Sequence, residues 1–381
     1  MSELRDTADR FDAILRSKNV DKYTYVLSQS EKQELNIESG RFKLMRTVFN
    51  NSGTIRVFRG ARMGSVSGND ITDEGLAKLA DDGVAAAESA EEDPCHDFAP
   101  DQGKDVFRQG VTEPDMDRFL ERVSEFLDTV AKEYPKINIM AAIASFDRWT
   151  WISRNTNGTE FMGIGGQYGF SVEFSASEGE RTTGIGGCGF HMKDLDTPFI
   201  EMCDIRSQLE NTQNRIFPET VSGKFEGTVI MMPDCALNFL YMLLSNYAGS
   251  SVIIEGTSQW LDKVGEKVAD DKLTMALKPF DERIIVGERG TSDGFRAEDV
   301  TLIERGVLKN HMLNLYAANK TGRPMIKNTG FSLVVEPGEQ TLEELIASVD
   351  RGLLMGDFSG GYPGTNGEFS GGVEDSCLIA E

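Results

Sequence analysis

The stretch CALNFLYMLLSNYAGSSVII, residues 235–254, runs for twenty positions without a charged side chain, in a chain whose composition is 27% charged. A run of this kind is a membrane span, a core helix, or a helix that carries catalytic groups, and the choice between them decides the fold. A span needs ~20 predominantly apolar residues. Here Asn238, Ser245, Asn246, Ser250 and Ser251 interrupt, and Gly249 follows the apolar part. The strongly apolar portion is FLYMLL with Leu237 before it, a length that suits a core helix. Its apolar residues occupy all sides, the pattern of a helix enclosed within a domain rather than of a span.

Working outward, the rest of the chain supplies the walls of that domain. Its 381 residues suggest two domains on a size of ~100–200 residues each. The 39 glycines imply many turns and short strands. Upstream of the uncharged stretch, FEGTVIMM reads as a strand. Downstream come the strand signals ERIIVGERG and VTLIERGVLKNHMLNLY, a small helix at 342–349, and a doubled acidic-Phe-Ser-Gly-Gly motif at 357–361 and 368–372. Each copy of that motif predicts a turn anchored by one buried aromatic. The expected C-terminal domain, 221–381, is mostly β and barrel-like around the uncharged helix.

The first half, 1–220, reads as an N-terminal α+β domain. Leu4, Ala8, Phe11 and Leu15 share one face of an amphipathic helix ended by Asn19. YTYVLSQS, KQELNI, RFKLMRTVF and TIRVF are strand-like, and ESG and NNSG predict the turns of an antiparallel meander. Thr72 opens a helix with Asp73 and Glu74 in its first turn and a stripe of Leu76, Leu79, Ala80 and Ala87. Residues 90–105, acidic and proline-bearing, predict a surface connection. A second helix is expected from Thr112 to before Pro135, with the stripe Met116, Leu120, Val123, Leu127 and Val130. INIMAAIASF and WTWISRN then read as strands, Asn157-Gly158 as a hairpin turn, and GQYGFSVEFSAS as a strand. A further helix at 198–215 leads to a boundary near FPETVSGK. Strands with a hairpin beside a helix occur twice, which suggests two related units, 1–95 and 112–200.

Composition excludes some functions. With 62 acidic against 39 basic residues the formal net charge is −23, which repels phosphate backbones and opposes direct nucleic-acid binding. The five cysteines form no CxxC pair and read as reduced thiols of a cytoplasmic protein, with Cys203 and Cys235 as small core residues. MSELRDTADRFDAILRSK contains no apolar signal-peptide region. Only His96, His191 and His311 exist, none within five residues of another, so no zinc-type pair is present. TGIGGCGF lacks the strand–loop–helix context of a nucleotide loop, and Cys188 beside its glycines is a candidate nucleophile without a recognisable catalytic motif around it.

The ordered set GTVIMMP, the uncharged helix, SSVIIEGTSQWLDKVGEKV, RGTSDGFRAEDVTLIERGVLKNHMLNLYAANKTGRP and GDFSGG…GEFSGGV resembles the TldD/PmbA family, also called modulator of DNA gyrase. TIRVFRGARMGSVSGNDITDEGLAKLADDGVAAA and SRNTNGTEF extend the resemblance into the first half, and TLIERGVLKNHMLNLYAANKTG is its most specific element. The resemblance implies a cytoplasmic two-component zinc metalloprotease that acts on peptides. One subunit type carries a His-Glu-x-x-x-His helix, and the PmbA or TldE type lacks it and pairs with the first. Tyr241, Met242 and Asn246 stand where that motif would be, and no histidine occurs between His191 and His311. The resemblance therefore implies a PmbA/TldE-like subunit with no cofactor of its own and zinc in a TldD-type partner. It also implies further β structure beyond the second Phe-Ser-Gly-Gly turn, with a cysteine ligand there in the zinc subunit, and Cys377 sits too early to match it.

The alternatives are a stand-alone peptidase using metal or Cys188, and a homodimeric peptide-binding protein. Cleft candidates are Asn238, Tyr241, Ser245 and Asn246 on the helix and Glu255, Thr257 and Ser258 after it. The competing reading is that these side chains satisfy buried backbone groups or cap the helix.

Overall fold

The computed structural model describes residues 2–18, 20–218, 223–360 and 363–379, and the chain divides into two compact units, 1–218 with 282–296 and 219–281 with 297–381. The expected helix terminator Asn19 and much of the expected boundary near FPETVSGK lie outside the described residues.

In chain order the first unit contains α1 (Ser2–Arg16), β1 (Lys22–Glu38), β2 (Arg41–Arg59), β3 (Arg62–Gly68), α2 (Asp73–Ser89), β4 (Lys104–Gly110), α3 (Met116–Glu133), β5 (Ile137–Asn155), β6 (Glu160–Glu178), β7 (Arg181–Thr182), β8 (Gly186–Met192) and α4 (Ile205–Asn214). One curled sheet runs in the order β3-β2-β1-β5-β6-β4, with β7 and β8 also on β6. Only β4 runs parallel to its neighbour.

Alternation along the strands sends every second residue to one face. Tyr25, Leu27, Ile55, Val57 and Ile152 meet Leu4, Ala8, Phe11 and Leu15 of α1 and Leu76 and Leu79 of α2. Farther along, Leu35, Ile37, Ala144, Phe146, Tyr168 and Phe170 meet Phe119, Val123, Phe126 and Val130 of α3 and Leu209 of α4. Each buried Leu, Ile, Val or Phe among these contributes about 1.5–3 kcal/mol, which is what holds the helices to the sheet.

The helix starts follow local capping. Thr72 accepts from Gly75 N at the head of α2, as its sequence predicts. The α3 cap is Asp115, accepting from Arg118 N, three residues later than expected at Thr112. The expected helix at 198–215 forms in two pieces, a 3₁₀ turn at Phe199–Glu201 and an α-helix from Ile205, separated where Cys203 and Asp204 adopt left-handed backbone angles of φ 48° and 54°. Cys203 is exposed there and not a core residue, which corrects its expected placement.

NNSG departs from the role its residues predict. It is no turn: β2 passes straight through it, with Asn51 opposite Gln29 and Gly53 opposite Leu27. Gly53 serves close approach instead, since a Cβ there would sit 3.1 Å from both Leu27 and Leu79. The chain turns at Gly60-Ala61, between β2 and β3. Likewise INIMAAIASF and WTWISRN form one strand, β5, and the Asn157-Gly158 hairpin after it forms as expected, with Gly158 at φ 108°. Among the described residues β3 pairs with β2 only from Gly53 to Arg59, so the segment 41–52 shows no strand on its outer edge. Phe42, Leu44, Met45 and Phe49 are exposed along it.

The second unit contains β9 (Thr228–Met231), α5 (Pro233–Tyr247), α6 (Ser250–Ile254), β10 (Met275–Leu277), β11 (Val300–Glu304), β12 (Val307–Leu308), α7 (Leu315–Thr321), β13 (Leu333–Val335), α8 (Leu342–Ala347), β14 (Gly352–Met355), β15 (Asp357–Gly360), β16 (Gly371–Glu374) and β17 (Cys377–Ile379). Its sheets run β12-β11-β10-β13, β17-β14-β9 and β15-β16. The architecture of the chain is α+β. Three expectations change here. The uncharged stretch is two helices, broken at Ala248-Gly249, where a Cβ on Gly249 would lie 2.6 Å from Ser245 O. ERIIVGERG forms no strand, and its segment packs with the first unit. The doubled motif gives paired strands rather than two anchored turns: Phe358 faces Val373, and Gly360 faces Gly371. The glycines are needed because a Cβ on Gly371 would strike the Phe358 ring at 2.4 Å. Phe358 is half-buried and Phe369 is 44% exposed, so neither is a buried anchor. Gly361 lies outside the described residues.

Candidate functional site

Pro233 at the first helical position and Asp234 in the first turn suit the start of α5, where proline's missing N–H and a negative charge are both favourable. One stripe of the helix, Leu240, Tyr241, Leu244 and the following Ala248, joins Met275, Leu277, Leu302, Ile303, Leu308, Ile326 and Leu333 in the core of the unit. The opposite stripe is more open. Phe239 there meets Phe369 at 5.4 Å between ring centroids, and Phe369 meets Phe358 at 5.6 Å. Leu237 is 37% exposed.

The candidate side chains do not converge. Tyr241 donates its hydroxyl to the Phe331 carbonyl and packs edge-on against that ring at 5.7 Å. Asn246 donates from Nδ2 to the Pro363 carbonyl at 2.7 Å. Five helical positions separate the two, ~140° around the axis, so they reach to different sides. Asn238 and Ser245 are exposed. Glu255 is exposed at the end of α6, its N–H donating to Ser251 O at 2.9 Å. Thr257 is exposed beside Val252 O at 3.5 Å. Ser258 is buried, donates to Tyr247 O and accepts from Trp260 N at 2.9 Å. No local pattern marks Phe331, Pro363 or Phe369 as neighbours of the helix, since they lie more than 80 residues beyond its end in two separate loops.

These groups do not fit a zinc ion. A hydroxyl and an amide, each spent on a backbone carbonyl, stand where imidazoles would be needed, and the Met242 thioether is no general base. Among the described residues no three His, Cys, Asp or Glu side chains gather in a way that could hold a metal ion. His311 is buried, with Nε2 2.8 Å from Trp260 O, and burial lowers its pKa. It lies outside any strand, contrary to its expected position. His191 is exposed on β8, and His96 lies 3.9 Å from Asp93. Cys188 sits half-buried on β8 against the α3 core. The Cys235 thiol is pushed up by burial and by Asp357 nearby, the opposite of what a nucleophile requires.

The first unit holds clefts of its own. One, about 570 Å³, lies between α1 and the β5–β6 hairpin. Arg154 is its hub: Asp9, Asp12 and Glu160 approach the guanidinium at 2.7, 2.8 and 2.9 Å, while Nε is buried without a partner. Burial opposes its charge, but the hydrogen bonds it donates to Asp9 and Asp12 and the nearby Tyr25 and Glu160 outweigh it and hold the pKa above its ordinary value. This network ties α1 to the sheet. Another cleft, about 330 Å³, is lined by Gln109, Trp149, Trp151 and residues 286–290.

Residues 222–381 match the family model described as PmbA/TldA metallopeptidase C-terminal domain, and residues 26–87 match PmbA/TldA metallopeptidase domain 1. The Escherichia coli O157:H7 protein named metalloprotease PmbA is 25% identical over 352 residues, 85% of this chain and 74% of that protein. A Saccharolobus solfataricus protein named zinc metalloprotease TldD homolog is 23% identical over 237 residues, 58% of this chain and 52% of that one. In structure the chain is similar to TldE from Thermococcus kodakarensis, with a TM-score of 0.82 at 20% identity, over 97% of this chain and 88% of the other. No described helix is long and apolar enough to cross a membrane.

Proposed function

The chain belongs to the TldD/PmbA family of metallopeptidases, and from that premise we propose that it is the PmbA/TldE-like, non-catalytic subunit of a two-component zinc peptidase. In this reading zinc and the hydrolytic chemistry reside in a TldD-type partner, and this chain helps to enclose and hold an extended peptide in the cytoplasm. The observation that carries the reading is the state of α5: Tyr241 and Asn246 are bonded to the Phe331 and Pro363 carbonyls rather than offered as ligands. The outer edge of β2 supports association with another chain, because a long apolar edge strand is a liability unless another chain covers it.

The test is to purify the chain alone and with a TldD-type homologue, and to measure association, metal content and cleavage of unstructured peptides. A stable pair that cleaves faster than the homologue alone is expected. Neither association nor a gain in cleavage refutes the reading. Stoichiometric zinc in the isolated chain, with cleavage, favours a stand-alone peptidase. Self-association that excludes the homologue favours a homodimeric peptide-binding protein.

A further inference from the structure

Trp149 and Trp151 lie two positions apart on β5 and therefore share one sheet face, the face opposite Ile152 and the helices. Their cross-strand neighbours are Gly165 and Gly163. A Cβ on Gly165 would meet the Trp149 ring at 2.5 Å, and one on Gly163 would meet the Trp151 ring at 2.2 Å. Both indoles are thus laid over β6, and glycine is the residue that lets them lie there. On the far side of those glycines, β4 places Phe107 beside Gly163 and Gln109 beside Gly165. Phe107 approaches Trp151 at 6.4 Å and Phe161 at 5.6 Å between centroids.

Packing on glycine accounts for how the rings are seated, but the same two half-buried rings also line the cleft of about 330 Å³ under residues 286–290. That overhang is fastened to the unit. Gly287 O accepts from Gln109 Nε2 at 2.8 Å, Gly290 bridges to Arg296, and Arg296 pairs with Asp105 and covers the Phe161 ring at 5.1 Å. A fixed roof over a fixed aromatic floor is a preformed site, and its volume is at the lower limit for ligand pockets, enough for a single ring-bearing group. Aromatic rings prefer offset or edge-on partners at 4.5–7 Å, which two adjacent indoles and Phe107 supply.

We propose that this cleft is a subsite that takes one aromatic side chain of an unfolded peptide, with Trp149 and Trp151 as its floor and Gln109 with residues 286–290 as its rim. The peptide part of this assignment rests on the function proposed above, whereas the ring site does not.

The test labels the whole chain with 5-fluorotryptophan and follows the resonances of Trp149, Trp151 and Trp260 by fluorine NMR, assigned with single Trp→Phe variants. The probes are a short Gly/Ser peptide with one central Phe, its Ala twin, and N-acetylphenylalaninamide. The Phe peptide is expected to shift Trp149 and Trp151 but not Trp260, and to bind at least about tenfold more tightly than the Ala twin, the return on burying one phenyl ring. W149L and W151L should abolish that selectivity while retaining the native circular dichroism. Equal binding of the two peptides, or selectivity that survives both substitutions, overturns the subsite and leaves the peptide reading standing. If the amide shifts both resonances while neither peptide binds, the ring site holds and the peptide reading falls. If no probe moves either resonance, the subsite is refuted. The comparison between the two peptides uses the unsubstituted chain, so it stands even if a variant fails to fold.

Discussion

Replacing Arg154 by methionine removes the one cation that three carboxylates share while keeping much of the side-chain volume. Arg154 is 11% exposed, Asp12 15% and Glu160 10%, so the pairs with Asp12 and Glu160 are nearly withdrawn from water, whereas Asp9 at 64% is screened and contributes little. Breaking a buried pair costs about 3–5 kcal/mol, because the remaining charges stay desolvated. Here Glu160 retains Arg5 at 3.0 Å and Lys104 at 3.6 Å, and Asp12 retains the Tyr23 hydroxyl at 3.1 Å. The expected loss is therefore at the low end, about 3 kcal/mol. With a urea slope of about 2–3 kcal/mol/M, the midpoint of the first unit falls by roughly 1–1.5 M. The assay is urea unfolding followed by emission of Trp149 and Trp151 in a W260F background. Adding Asp12→Asn to Arg154→Met should return part of the loss, since the carboxylate that was stranded is then gone. A shift of less than about 0.3 M for R154M, or a double variant weaker than the sum of the two singles, refutes the view that this network is a desolvated tie between α1 and the sheet.

Other outcomes follow from the same structure. His311 has a lowered folded pKa because it is buried, so its stabilisation is present above its unfolded value of about 6.5 and is lost as pH falls below that, by up to about 1.4 kcal/mol per pH unit. Urea midpoints of the second unit at pH 7.5 and 5.5, read at Trp260, should differ for the native chain and converge for His311→Asn. Tyr241→Phe and Asn246→Ala should each lower the stability of the second unit by about 0.5–1.5 kcal/mol, the value of one hydrogen bond, without changing zinc content measured by mass spectrometry. Gly165→Ala should cost about 1–3 kcal/mol by overpacking against Trp149, measured by thermal unfolding. Phe49→Lys together with Met45→Lys, at positions 74% and 58% exposed, should leave the midpoint within about 0.5 kcal/mol and weaken association with a second chain in ultracentrifugation.

Local signals carried the elements that depend on near neighbours. The stripe of Leu4, Ala8, Phe11 and Leu15, the Thr72 cap and the Asn157-Gly158 turn are each settled within a few residues, by helical period, by one side chain meeting one orphan N–H, and by the positive φ of glycine. So is the absence of histidine between His191 and His311, which removes the imidazoles whatever the fold. Tertiary structure decided what depends on a distant partner. NNSG has the residues of a turn, yet Gly53 is spent on room for Leu79, which no local rule reveals. β4 exists because β6, more than 50 residues later, accepts it as a parallel neighbour, and β14 because β9 does so from more than 120 residues away. Sequence spacing likewise set Tyr241 and Asn246 on one helix. Only the approach of Phe331 and Pro363 shows that their polar atoms close the unit instead of opening a site, because a hydrogen-bonding side chain takes its role from whichever backbone the fold brings to it.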